Sequence, residues 1–68
     1  MKEIKINTEF IKLDQFLKWV GIAQLGSEAK MLILNELIKV NDEICIQRGK
    51  KLRSGDFIEF DGQKYKII

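Results

Sequence analysis

Histidine and proline are absent from these 68 residues, and cysteine occurs once, at Cys45. Each absence removes a class of explanation. One cysteine excludes an internal disulfide, and with no histidine beside it too few soft ligands remain for a structural zinc site. The missing imidazole also removes the usual general base near neutral pH. No apolar run approaches the ~20 residues that cross a bilayer. Met1-Lys2-Glu3-Ile4 is not followed by the apolar segment of a signal peptide. Neither proline nor a low-complexity tract marks a linker. One domain over residues 1–68 is therefore expected, in a soluble, cytosolic, reducing setting. Aromatic residues are few, at 9%, but the 46% hydrophobic content is that of an ordinary globular domain and argues against disorder. A chain this small with no covalent staple depends on a well-packed core.

The net charge of +2 is small, yet its distribution is uneven. Arg48, Lys50, Lys51 and Arg53 fall in six residues with no acid among them, while Asp42, Glu43, Asp56, Glu59 and Asp61 flank them on both sides. Such segregation makes a local positive patch on a nearly neutral body.

Hydrophobic periodicity divides the chain. Ile4 and Ile6 alternate with polar neighbours and predict a short strand over Glu3 to Ile6. Thr8 to Lys12 reads as a turn leading into a helix. Leu13, Phe16, Leu17 and Val20 recur at helical spacing, with Asp14 in the first turn and Gly21 as the stop. Ser27 is a natural cap for a second helix running to about Asn35, with Glu28 in its first turn. Ala29, Met31, Leu32, Ile33 and Leu34 leave that helix little polar face, so burial on more than one side is expected. From Leu37 the period becomes two. Ile38 and Val40, then Asn41-Asp42, then Ile44 and Ile46 predict a tight hairpin. A basic loop follows. Phe57, Ile58 and Phe60, the Asp61-Gly62 turn, and Tyr65, Ile67 and Ile68 predict a second hairpin. A strand, two helices and an antiparallel sheet make an α+β domain.

Catalytic chemistry has little to stand on. A cysteine nucleophile needs a neighbouring base, and Cys45 between Ile44 and Ile46 reads as a small strand residue. The carboxylates show no paired spacing, the glycines match neither GxGxxG nor GxxxxGK, and Ile67-Ile68 is not the Gly-Gly tail of a sulfur carrier. No enzyme, cofactor or small-molecule substrate is expected. The remaining constellation is cationic. Lys12, Gln15 and Trp19 share one flank of the first helix, with Lys18 further round. Lys30 is the cation of the second helix, whose start, capped by Ser27, offers amides to a phosphate. With Arg48, Lys50, Lys51 and Arg53 they form a candidate surface for a phosphate backbone. Trp19 reads first as a core-edge residue, with a base-stacking platform as the alternative.

Particular residues also match a family pattern. Leu13-Asp14-x-Phe16-Leu17, then Ser27-Glu28-Ala29-Lys30-Met31-Leu32-Ile33, then Ile38-Lys39-Val40-Asn41-Asp42-Glu43 resemble the core of the S-four (S4) RNA-binding domain. That core reads roughly R-L-D-x-x-L, S-x-A-R-x-L-I and G-x-V-x-V-N-G. Ile4-Lys5-Ile6, Phe16-Leu17-Lys18-Trp19 and Arg48-Gly49-Lys50-Lys51-Leu52 resemble the small stand-alone bacterial YaaA-like branch. The resemblance covers nearly the whole chain. It implies an αL-type fold, two packed helices against a small bent antiparallel sheet. It also implies non-catalytic, ribosome-associated binding of structured RNA, most often ribosomal RNA. A monomer with no membrane partner is expected. Lys12 then stands at the arginine before Leu-Asp, Ser27 at the helix cap, Lys30 at the arginine after alanine, and Lys50-Lys51 in the basic loop. Glu36 and Asp42 depart from the pattern, each replacing a glycine at a position that favours positive φ. Met31 and Ser27 depart too, standing where many members carry a second cation and where the YaaA-like branch has glycine. The alternative from another class is a protein-interaction module docking through the apolar second helix.

Overall fold

The computed structural model describes residues 1–68. Strand β1 (Lys2–Ile4) and a two-residue strand β2 (Ile11–Lys12) precede helices α1 (Leu13–Trp19) and α2 (Gly26–Leu34). The chain then returns through β3 (Lys39–Val40), β4 (Glu43–Ile44), β5 (Lys51–Leu52), β6 (Phe57–Phe60) and β7 (Gln63–Ile67). Five strands form one sheet in the order β1-β7-β6-β3-β4, and β2 pairs with β5 in a separate ribbon. The two helices pack against each other, and the whole is the expected α+β arrangement.

Both predicted hairpins are present. β3 and β4 pair antiparallel around Asn41-Asp42, and β6 and β7 around Asp61-Gly62. In each turn both residues have positive φ, 52° and 70° in the first and 51° and 79° in the second. Those values belong to the mirror-image turns that match strand twist in two-residue hairpins. The sheet is not wholly antiparallel, however. β1 lies parallel to β7, with Lys2 opposite Tyr65 and Ile4 opposite Ile67. A parallel neighbour requires a long crossover, and here nearly the whole chain supplies it.

The core consists of thirteen buried residues, all apolar. Leu13, Phe16 and Leu17 come from α1, Ala29 and Ile33 from α2, Ile38 and Val40 from the β3 segment, and Leu52, Ile58 and Ile67 from β5, β6 and β7. Phe16 also meets Tyr65 edge to face, with ring centroids 6.1 Å apart and planes at 81°. That contact seats α1 on β7.

Four local expectations need correction. Thr8 to Lys12 is not simply a turn into the helix, because Ile11–Lys12 pairs with β5. The stretch Arg48 to Arg53 is not all loop, since Lys51–Leu52 is that partner. Ser27 is not the cap of α2. Leu25 occupies the cap position, and the Glu28 carboxylate accepts from the amides of Gln24 and Leu25 at 3.3 and 3.2 Å. A carboxylate reaching back over the first turn satisfies donors and complements the helix dipole, leaving the serine no capping role. Finally, α2 buries only Ala29 and Ile33, while Met31 and Leu34 are 62% and 53% exposed. A nine-residue helix whose main packing partner is α1 has a single neighbour-facing side, so its apolar surplus faces solvent.

Candidate nucleic-acid interface

The β2–β5 ribbon organises the basic surface. Its register sets Ile11 opposite Leu52 and Lys12 opposite Lys51. Ile11 and Leu52 are buried, so by strand alternation the residues around them point outward. Phe10 and Lys12, on either side of Ile11, therefore share an outer face with Lys51 and Arg53, on either side of Leu52. Lys51 Nζ lies 4.8 Å from the Phe10 ring centroid, and the Arg53 guanidinium carbon 5.7 Å from it. An aromatic face attracts a cation without neutralising it.

Backbone contacts fix the segment leading into this ribbon. The first amides of a helix lack intrahelical partners. In α1 two of them are taken by the basic segment: Leu13 donates to the Lys50 carbonyl at 2.9 Å, and Asp14 to the Arg48 carbonyl at 3.0 Å. Lys50 donates in turn to the Gln47 carbonyl at 3.1 Å. The far end of the segment is held through Asp56, which accepts from the Arg53 amide at 2.8 Å and from Asn41 Nδ2 at 3.1 Å. Asn41 Oδ1 accepts from the Phe57 amide at 3.0 Å. The four cations from Arg48 to Arg53 thus ride on a backbone tied at both ends, and all four are exposed.

The one ion pair in the structure joins Lys64 to Asp42, at 3.8 Å. No carboxylate pairs with Lys12, Lys18, Lys30, Arg48, Lys50, Lys51 or Arg53, so their charge is free to act on an external anion. Lys12, Gln15 and Trp19 line one depression of ≈ 300 Å³ with Thr8, Phe10 and Ile11. Trp19 is 54% exposed and belongs to that surface, not to the core edge. Lys18 and Lys30 are exposed on the helices, outside that depression. Ser27 is exposed in the first turn of α2, where the Glu28 carboxylate opposes an incoming phosphate. Cys45 is half-buried, its thiol 3.7 Å from the Gln47 carbonyl.

Sequence reasoning missed Phe10 and the Asn41–Asp56 link. The Asn-Asp turn was readable, but not that its asparagine also reaches across to β6. Phe10 carries no pattern of its own, and its meaning depends on a ribbon two residues long on each side.

A family model described as S4 domain matches residues 4–68. The chain is also 44% identical over 59 residues to a probable ribosome maturation protein, RlbA, of Bacillus subtilis (strain 168). That alignment covers 87% of this chain and 83% of the relative.

Proposed function

The chain belongs to the S4 domain family, and on that premise we propose that it binds structured RNA, ribosomal RNA in particular, without catalysing a reaction. Its place of action is then the maturing or working ribosome, in keeping with the name of its Bacillus relative. The whole of residues 1–68 acts as one binding domain. The observation that carries this reading is the outward face of the β2–β5 ribbon, where Lys12, Lys51 and Arg53 stand together with no carboxylate partner. Two lysines directly opposite on paired strands repel each other. A phosphate between them turns that repulsion into attraction. Arg48 and Lys50 extend the positive surface along the tied segment, and Lys18 and Lys30 extend it over the helices. Readout is mainly of phosphate position and RNA shape.

The test is in-cell crosslinking and sequencing of the attached RNA, comparing the parent with the Lys50→Ala/Lys51→Ala double variant. Reads concentrated in one folded region of ribosomal RNA and lost in the variant are expected. With the identified RNA in vitro, the double variant should lower the slope of log affinity against log salt by about 0.7–0.9 per lost phosphate contact. An unchanged slope rejects the assignment of these two lysines.

A second reading has its own observation. Met31 and Leu34 expose more than half of their surface one helical turn apart on α2. A protein docked there binds with little salt dependence, and Met31→Lys/Leu34→Lys disrupts it while RNA crosslinking persists.

A further inference from the structure

Resting on the RNA-binding reading, we propose that the depression between β2 and α1 receives one unpaired base of the RNA, stacked on Trp19, while the neighbouring phosphates sit on Lys12, Lys51 and Arg53. Shape and charge alone do not require an aromatic side chain here, and α1 nevertheless presents its indole to solvent, 54% exposed. Thr8, Phe10, Ile11, Lys12, Gln15 and Trp19 line a half-open depression of ≈ 300 Å³. That is the low end of small-ligand pockets, roughly 300–1,000 Å³, and suits a single base better than a base pair or a helix. Base on aromatic ring is the recurring solution for unstacked nucleotides, and it tolerates any base because every base has a π-face.

The polar groups agree with that occupant. Gln15 is exposed and lines the depression, and its amide carries both donors and an acceptor for a base edge. Thr8 Oγ1 donates to the Phe10 carbonyl at 2.9 Å, which holds the rim while leaving its lone pairs open. At the same rim Phe10 gathers Lys51 and Arg53 at 4.8 and 5.7 Å, and Lys12 faces Lys51 across the ribbon. An apolar or anionic-poor peptide would leave those three cations unanswered. A nucleotide answers the exposed indole with its base and the cations with its phosphates. The RNA feature selected is thus a helix interrupted by a bulged or loop nucleotide.

The experiment uses the full chain and two RNA hairpins sharing one stem of about ten base pairs, one fully paired and one with a single unpaired adenosine. Trp19 is the only tryptophan and reports on its own surroundings by fluorescence. The bulged hairpin should bind about tenfold or more tighter than the paired one and quench the emission. Trp19→Ala should collapse the ratio of the two affinities towards one, and Trp19→Phe, which keeps a ring, should retain most of it. Equal affinities in the parent with unchanged emission, or a ratio that survives Trp19→Ala, overturns the base pocket. If both hairpins still bind with steep salt dependence, the RNA-binding reading stands without it. If neither hairpin binds at low salt, that reading falls and takes the pocket with it.

Discussion

Glu36 closes α2 in a conformation that side chains usually avoid. Its φ is +63°, its amide donates to the Ile33 carbonyl, and the Leu37 amide donates to the Leu32 carbonyl. This is the two-bond helix stop in which glycine is the common residue. The departure from the family glycine therefore leaves the turn geometry intact and places its cost on the backbone. A left-handed non-glycine residue costs roughly 1–2 kcal/mol, and glycine returns roughly 0.5–1 kcal/mol of that as chain entropy. Glu36→Gly should raise stability by about 0.5–1 kcal/mol in urea unfolding. A lowered midpoint would mean that the glutamate side chain stabilises the stop by some other route. Asp42, at φ +70°, follows the same logic. Asp42→Gly also removes the Lys64 contact, but exposed pairs of that kind contribute only about 0–1 kcal/mol.

Among the elements, the basic segment owes its order to partners distant in sequence. Its carbonyls at Arg48 and Lys50 take the first amides of α1, and Asp56 with Asn41 ties its other end to the β3–β4 turn. Asn41→Ala deletes the bonds to Asp56 and Phe57 and should destabilise by about 1–3 kcal/mol. Hydrogen exchange should accelerate at the Phe57 amide, and an unchanged rate there would sink this account of the link. The same elements divide what could be read in advance from what could not. Period-two and helical patterns sufficed for α1, α2 and both hairpins, and the charge distribution for the cation-rich stretch, because those signals are local. The β2–β5 ribbon was invisible, since two residues are too few to show a period. With it went the role of Phe10 and the pairing of Lys12 with Lys51. The cap of α2 was misplaced for a related reason: a Ser27 cap would have taken the amides of Ala29 or Lys30, but the helix starts earlier, at Gly26, and Glu28 turns back to Gln24 and Leu25, which spacing alone does not say. The exposed side of α2 was misjudged because composition gives apolarity, while exposure depends on how many neighbours surround the helix.

At the scale of the whole molecule, stability rests on one apolar core without covalent help. Phe16, fully buried between the helices and Tyr65, is its largest member. Phe16→Ala should cost about 3–5 kcal/mol. A domain of this size has only about 3–5 kcal/mol in reserve, so the variant should be largely unfolded by circular dichroism at room temperature. Trp19→Ala, on the solvent side of the same helix, should leave the far-ultraviolet signal intact. The first and last strands are hydrogen-bonded neighbours, and the Ile68 amide donates to the Ile4 carbonyl at 2.9 Å. Strand β7 is thus the only sheet partner of β1. During synthesis β1 must wait, unpaired, until β7 has cleared the ribosome, so the chain cannot finish folding on a partial template. The two helices are complete before β7 is made, so the clasp that completes the sheet closes last, and deleting either strand leaves the other without that partner.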